Sequence, residues 1–259
     1  MTDRPEIPAD VAELIRDAAH ITVFTGAGVS AESGIATFRG SDDSLWGRFD
    51  PMMLASIDGW EADRDLVWGW YAWRIGQLGD VEPNDGHRAL ADLATAERTV
   101  EVVTQNVDDL HERAGSTVVS HLHGRIDALR CSVCRAPYDG AVARPQGEPF
   151  DDSPDSLRLS PPTCAVCGGA VRPGVVWFGE MLPQDQWRTA LDSFDRCDLV
   201  LVVGTSGIVY PAAGLPEEAA RRGVPIIEVN PEPSGLSALA SHSIRSTAAV
   251  ALPAIADAL

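Results

Sequence analysis

Four cysteines are spaced for a metal. Cys131 and Cys134 form one C-x-x-C pair and Cys164 and Cys167 a second, with 29 residues between the pairs. Tetrahedral zinc takes four thiolates from two short loops, and no histidine or open ligand position accompanies them, so the site reads as structural. A redox dithiol would need only one such pair. A second set of residues is spaced for a phosphate. Gly26-Ala27-Gly28-Val29-Ser30 follows the apolar run 21–24, so a buried strand enters a glycine turn. The glycines there permit positive φ and close approach, and Ser30 and Ser33 can cap a helical turn whose N–H groups favour an anion. The spacing departs from G-x-G-x-x-G, lacking its third glycine. A third set is polar and sits where strands should end: Gln105-Asn106-Val107-Asp108, His121-Leu122-His123, Gly204-Thr205-Ser206 and Asn230-Pro231-Glu232. In open parallel sheets that edge binds ligands. A histidine there, with a pKa near ~6.5, suits a general base. His121 and His123 would share one face of a strand, so spacing alone does not choose between them.

These groups need a scaffold, and 259 residues with 45% apolar content can supply one large domain with a small module. No apolar run reaches the ~20 residues that span a bilayer, and no signal peptide is visible at the N-terminus. The expectation is a cytoplasmic protein with no membrane partner, with its thiols reduced. A net charge of −18 argues against a nucleic-acid surface. All 20 basic residues are arginine, so the chain offers no lysine for acylation. Cys197 reads as a small buried residue.

Helix is expected over 8–19, followed by the first strand and the glycine turn. Residues 41–51 are polar and aperiodic. Residues 60–78 read as one helix, dense in aromatics and apolar on several sides. Asn84 starts a capped helix in which His87 is structural. Strands at 99–104 and 118–120 and a helix at 108–113 lead to the cysteines. Between the cysteine pairs, 144–162 is rich in Pro, Asp and Ser and reads as a surface excursion. Then come helix 184–196, the continuous apolar strand 199–203, helix 212–222, strand 225–229, a short strand near 247–250 and a closing helix. Alternating strand and helix predict an α/β, doubly wound parallel sheet.

Five strings in order resemble the sirtuin pattern: GAGVSAESGIATFRG, TQNVDDLHERAG, HLHG, the two C-x-x-C pairs, and VVWFGE with GTS and VNPE. They run from about residue 20 to 250. Ser120-His121 departs from the acidic residue that many members carry before L-H-G. The resemblance implies a Rossmann-type domain over 1–124 and 173–259, with a small inserted zinc-binding module at 125–172. A helical insertion at about 41–80 would contribute to the small domain.

The resemblance further implies NAD-dependent removal of acyl groups from lysine in acylated proteins, with NAD and acyl-lysine meeting between the domains. Acyl-lysine is a neutral amide and a poor nucleophile, so its attack on the nicotinamide ribose needs close positioning. Asn106 and Asp108 would hold the ribose, a water and the carboxamide; nicotinamide would leave an alkylimidate. His123, by its place before Gly124, would then be the general base, giving 2′-O-acyl-ADP-ribose. Cofactor contacts would come from Gly26, Ala27, Gly28, Ser30, Glu32, Ile35, Phe38, Arg39, Gln105, Asn106, Val107, Asp108 and His123. Gly204, Thr205, Ser206, Asn230, Pro231, Glu232 and Ala248 would add to them, and Glu232 would favour NAD over NADP by repelling a 2′-phosphate. Residues 41–51 would form a loop over NAD. Val176, Trp177, Phe178 and Gly179 would bind substrate, with Tyr71 and Arg74. That Y-x-x-R spacing resembles the class III sirtuins, which bind the carboxylate of succinyl- or malonyl-lysine, and arginine presents a fork that fits a carboxylate. A monomer is expected. The competing functions are plain deacetylation, NAD hydrolysis or ADP-ribosyl transfer at the same site, and a nucleotide- and zinc-binding module without turnover.

Overall fold

A computed structural model describes residues 4–35, 50–145 and 154–259. The chain forms two compact units, one of Met1–Gly34, Glu82–Leu122 and Pro183–Leu259, the other of Ile35–Val81 and His123–Leu182.

The first unit is built on a parallel sheet. Its strands are β1 (His20–Thr25), β2 (Thr99–Thr104), β3 (Thr117–His121), β6 (Leu199–Val203), β7 (Ile226–Val229) and β8 (His242–Ile244), in the order β3-β2-β1-β6-β7-β8. The chain winds outward from β1 through β2 to β3, then restarts at β6 on the other side of β1 and winds the opposite way. Burial on both faces explains why β6 is apolar at every position. Helix α1 (Ala9–Asp17) buries Val11, Ala12 and Ile15, and its acidic residues face outward. Helix α5 (Asp85–Asp92) starts at a capping box: the Asn84 carboxamide oxygen accepts from the N–H of Gly86 and His87, and His87 Nδ1 accepts from Asn84 N–H. Helices α7 (Gln184–Arg196), α8 (Gly214–Arg221) and α9 (Ala248–Asp257) complete the layers, with the short α6 (Leu110–Arg113) after β2. The strand expected near 247–250 is instead the first turn of α9. Alanines at 248, 249 and 251 favour helix there, and Ala248 packs against α5. The last strand is β8, which forms one edge of the sheet as β3 forms the other.

In the second unit, α2 (Pro51–Leu54) and α3 (Ile57–Ala62) precede α4 (Arg64–Asp80). The single helix expected over 60–78 is broken at Asp63. Its carboxylate caps α4 through the Leu66 N–H and takes two bonds of 2.7 and 2.6 Å from Arg158. Helix α4 buries Trp68, Trp70, Tyr71 and Trp73. Strands β4 (Gly124–Cys131) and β5 (Val171–Val175) pair antiparallel. The stretch expected as a surface excursion is partly packed: Leu157 is fully buried, and Leu159 N–H donates to the Asp65 carbonyl. Its residues 146–153 lie outside the described residues. Among the described residues no helix is long and apolar enough to cross a membrane.

Candidate active site and metal centre

In the first unit the polar residues singled out in sequence collect at the C-terminal ends of β1, β2, β6 and β7, around the point between β1 and β6 where the winding reverses. Such a switch point leaves a crevice beyond the strand ends. Gly26 and Gly28 serve here by close approach rather than positive φ. Gly26 is extended (φ −131°), and Gly28 N–H donates to the Gly204 carbonyl at 2.8 Å. A Cβ on Gly28 would stand 2.7 Å from that oxygen, and one on Gly26 2.8 Å from Thr205 Cβ. Gly204 itself has φ +59°, so the two strand ends interlock through small residues on both sides. Gln105 Nε2 bridges the Thr25 carbonyl and Thr205 Oγ1, and Asn230 Nδ2 donates to the Thr205 carbonyl. Thr205 is thereby held by both neighbours.

Ser30 caps no helix, contrary to the sequence expectation. It is completely buried, and its hydroxyl joins Asn106, Asp108 and His87. Ser30 Oγ donates to Asp108 Oδ2 at 3.1 Å and accepts from Asn106 Nδ2 at 3.1 Å. His87 Nδ1 already accepts from Asn84, so Nε2 carries the proton, 3.4 Å from Ser30 Oγ. The set is consistent with a neutral His87, whose pKa is lowered to about 4 by burial and by Arg88. His111, edge-on to His87 at 4.9 Å, meets Thr25 Oγ1 at 3.0 Å and is also pushed well down, by burial and by the charges of His87 and His121.

The two candidate bases have different surroundings. His121 belongs to the first unit and is buried. Its Nε2 lies 2.7 Å from Glu112, its Nδ1 3.2 Å from the Asn106 carbonyl, and its main-chain N–H donates to Gln186. Both ring nitrogens are therefore engaged. His123 belongs to the second unit and is half-buried, with its carbonyl accepting from Val176 N–H.

Other candidates are placed as follows. Glu32 caps α9, accepting from Thr247 Oγ1 and Ala249 N–H at 2.9 Å each. Ala248 is buried at that helix start, Ala27, Val107 and Ser206 are half-buried at the strand ends, and Pro231 and Glu232 are exposed. Ile35 is half-buried in the second unit. Phe38, Arg39 and most of the loop expected over NAD lie outside the described residues.

One residue in this region escaped the sequence reading. Glu228, fully buried in β7, accepts from Ser234, Ser237 and Ser243 and pairs with Arg245 at 2.7 Å. Burial alone would raise its pKa, but the Ser234, Ser237 and Arg245 bonds hold it low. Arg245 also bonds the carbonyls of Asn230 and Glu232, so the cluster ties down the 230–237 loop. The available signal was one carboxylate inside an apolar strand, followed by serines.

In the second unit, Tyr71 and Arg74 share a face of α4 among aromatic rings. Tyr71 is 3% exposed and accepts a 3.0 Å bond from Trp177 Nε1. Burial raises its pKa, against the nearby Arg74 charge and that bond, so the phenol is neutral. The Arg74 guanidinium lies 4.7 Å from the Trp70 ring and 6.0 Å from Tyr71. Val176 is half-buried, Phe178 and Gly179 are exposed, and Phe178 N–H donates to the Ala55 carbonyl at 2.7 Å.

The four cysteines form two matching knuckles. Val133 N–H points at Cys131 Sγ and Val166 N–H at Cys164 Sγ, both at 3.4 Å. Each loop then turns through a left-handed residue, Arg135 (φ 60°) or Gly168 (φ 75°), whose N–H returns to the first cysteine's carbonyl. The sulfurs lie within 4.8 Å of one another, at 3.5 Å for Cys131–Cys167 and 3.7 Å for Cys134–Cys164. Four thiolates at ~2.3 Å from one zinc would stand about 3.8 Å apart, so the set fits tetrahedral zinc. Cys197 is buried, as expected.

Fold and site together define a nucleotide-binding α/β protein carrying a four-thiolate metal module. The chain belongs to the Sir2 family, whose model matches residues 26–211. It is 50% identical to the NAD-dependent protein deacylase 2 of Corynebacterium efficiens, over 93% of this chain and 92% of that protein. It is 51% identical to the NAD-dependent protein deacylase of Mycobacterium tuberculosis, over 92% and 97% respectively. Among solved structures, a Sir2 homologue–NAD complex aligns with TM-score 0.85 at 38% identity, over 99% of this chain and 95% of that one. Sir2Af2 bound to a myristoylated histone peptide aligns with TM-score 0.73 at 34% identity, over 96% and 94%.

Proposed function

We propose that this protein is an NAD-dependent protein lysine deacylase that prefers succinyl- and malonyl-lysine and retains some deacetylase activity. The names of the relatives support deacylation. The observation that carries the preference is the pair Tyr71 and Arg74, a neutral phenol and a guanidinium in a wall of tryptophans. A guanidinium presents a planar fork that fits a carboxylate, and the neutral phenol beside it adds a further donor for an acyl chain that ends in one.

NAD supplies the electrophilic ribose carbon that acyl-lysine lacks the reactivity to attack without close positioning. The switch-point crevice of the first unit binds it. Ser30 holds the Asn106 and Asp108 side chains in fixed orientation, so both meet the nicotinamide end without reorganising. Glu232, exposed after β7, would lie toward the adenosine ribose and disfavour a 2′-phosphate. His123 takes the proton of a ribose hydroxyl at an imidazole nitrogen; His121 is unsuited because both its ring nitrogens are engaged. The cysteines hold zinc as a structural ion.

The test is nicotinamide release on unmodified, acetyl and succinyl versions of one peptide, for wild type and Arg74→Met. A charge-assisted bond contributes on the order of 1.5–3 kcal/mol, so wild type should favour succinyl by about tenfold to a hundredfold in kcat/KM. The variant should lose most of that ratio. An unchanged ratio would return Tyr71 and Arg74 to the core, and release without any acylated peptide would indicate NAD hydrolysis.

A further inference from the structure

Behind Tyr71 stands an ion pair that neither zinc nor NAD binding uses. Arg172, 8% exposed, makes two bonds to Glu180, at 2.7 and 2.9 Å. Its guanidinium carbon lies 3.4 Å from the centroid of the Trp177 ring, and it also donates to the Val175 carbonyl at 3.2 Å. Glu180 Oε2 accepts from Trp177 N–H at 2.8 Å. One Arg–Glu pair thus grips Trp177 by both its backbone and its ring. Removing two charges from water is costly, and such a pair is weak evidence for stability as such. It does hold one indole at a fixed angle, tilted against Trp60 at 5.5 Å and Tyr71 at 6.2 Å.

The consequence lies in donor chemistry. Indole N–H can only donate, whereas a phenol oxygen both donates and accepts. In the 3.0 Å bond between Trp177 Nε1 and Tyr71 Oη, tyrosine is therefore the acceptor. Its own proton cannot point at Trp177 and must be donated elsewhere. The rings packed against the phenol, Trp70 and Trp177, offer indole donors rather than acceptors. We propose that Trp177, braced by Arg172 and Glu180, is a positioning residue for acyl specificity: by donating to Tyr71 it turns the phenolic proton toward the carboxylate of a dicarboxylic acyl group held by Arg74. This rests on the succinyl reading of the same site. Without the indole donor the phenolic torsion is no longer fixed beforehand, and the carboxylate itself must order the hydroxyl on binding, at a cost in affinity.

The experiment is a double-mutant cycle on the intact, zinc-loaded protein, using Trp177→Phe, Tyr71→Phe and the double variant. The readout is the succinyl-to-acetyl ratio of kcat/KM, split into KM and kcat. Trp177→Phe should lower the ratio by about threefold to tenfold, mainly by raising the succinyl KM, as expected for one lost orienting hydrogen bond. In the Tyr71→Phe background the same substitution should change the ratio less than twofold. A 15N spectrum adds a signature that packing alone would not move: the Trp177 indole N–H should shift upfield in Tyr71→Phe. An unchanged ratio in Trp177→Phe, or an equal effect in both backgrounds, overturns the inference while the succinyl reading stands. A wild type with no succinyl preference removes that reading and the inference with it.

Discussion

The strand-end cluster of the first unit and the aromatic wall of the second solve opposite problems. Around Ser30 and Thr205, polar side chains are buried because they satisfy one another: hydroxyl to carboxylate, carboxamide to hydroxyl, imidazole to hydroxyl. Remove one and its neighbours each lose a partner. Around Tyr71 the buried surface is mostly carbon, and its few polar groups are held by a charged brace. The first arrangement suits a ligand that offers many donors and acceptors. The second suits an apolar chain with a single charged end. A dense network tolerates few changes, whereas a sparse one can be retuned by a single residue.

The largest test of the contrast is at the metal. Cys131→Ala or Cys164→Ala leaves three thiolates, and zinc-dependent folding energy in such modules is on the order of 10 kcal/mol. Six of the seven tryptophans fall at 46–177, within the segments of the second unit, and Trp187 in the first. The variants should lose soluble yield, and chelation of wild type should shift tryptophan emission before the far-UV signal of the parallel sheet falls. Active, folded protein without zinc would show that the second unit holds itself together by its aromatic packing.

Acid should next strike the first unit through His87 and His111. Both have folded pKa values below the unfolded value near ~6.5, so the unfolded chain binds more protons between the two. Their neutral forms cost nothing above ~6.5, and stability falls as pH drops from there toward about 4, where His87 finally titrates. For His87 alone the loss is about 3 kcal/mol over that window. Urea midpoints for wild type and His87→Gln at pH 7 and pH 5 measure it; equal pH dependence in both would place the proton uptake elsewhere.

The smallest effect should come from Ser30→Ala. It takes one partner each from the Asn106 carboxamide and the Asp108 carboxylate, which keeps its bond from Leu110 N–H, at about 1–3 kcal/mol. The KM for NAD should rise by about tenfold, whereas the succinyl-to-acetyl ratio, which we propose is set in the other region, should stay within twofold. A shifted ratio would mean that the two regions are not separable.

Sequence by itself determined what local chemistry dictates. Strand β2, strand β6 and helix α7 are where apolar runs and helical periodicity put them, and the cysteine spacing announced the knuckles because both ligands of each come from one short loop. The Asn84 cap was legible for the same reason. Tertiary structure decided whatever depends on residues far apart in the chain. It set the use of Gly26 and Gly28, since only the approach of Gly204 shows that space, and not positive φ, is what they provide. It broke the helix at Asp63, where Arg158 arrives from 95 residues away. It recruited Ser30 from a cap to a hub, made Glu228 the anchor of its loop, and engaged both ring nitrogens of His121. A hydroxyl, a carboxylate or an imidazole bonds whatever the fold brings within about 3 Å, and no pattern along one chain states which groups those will be.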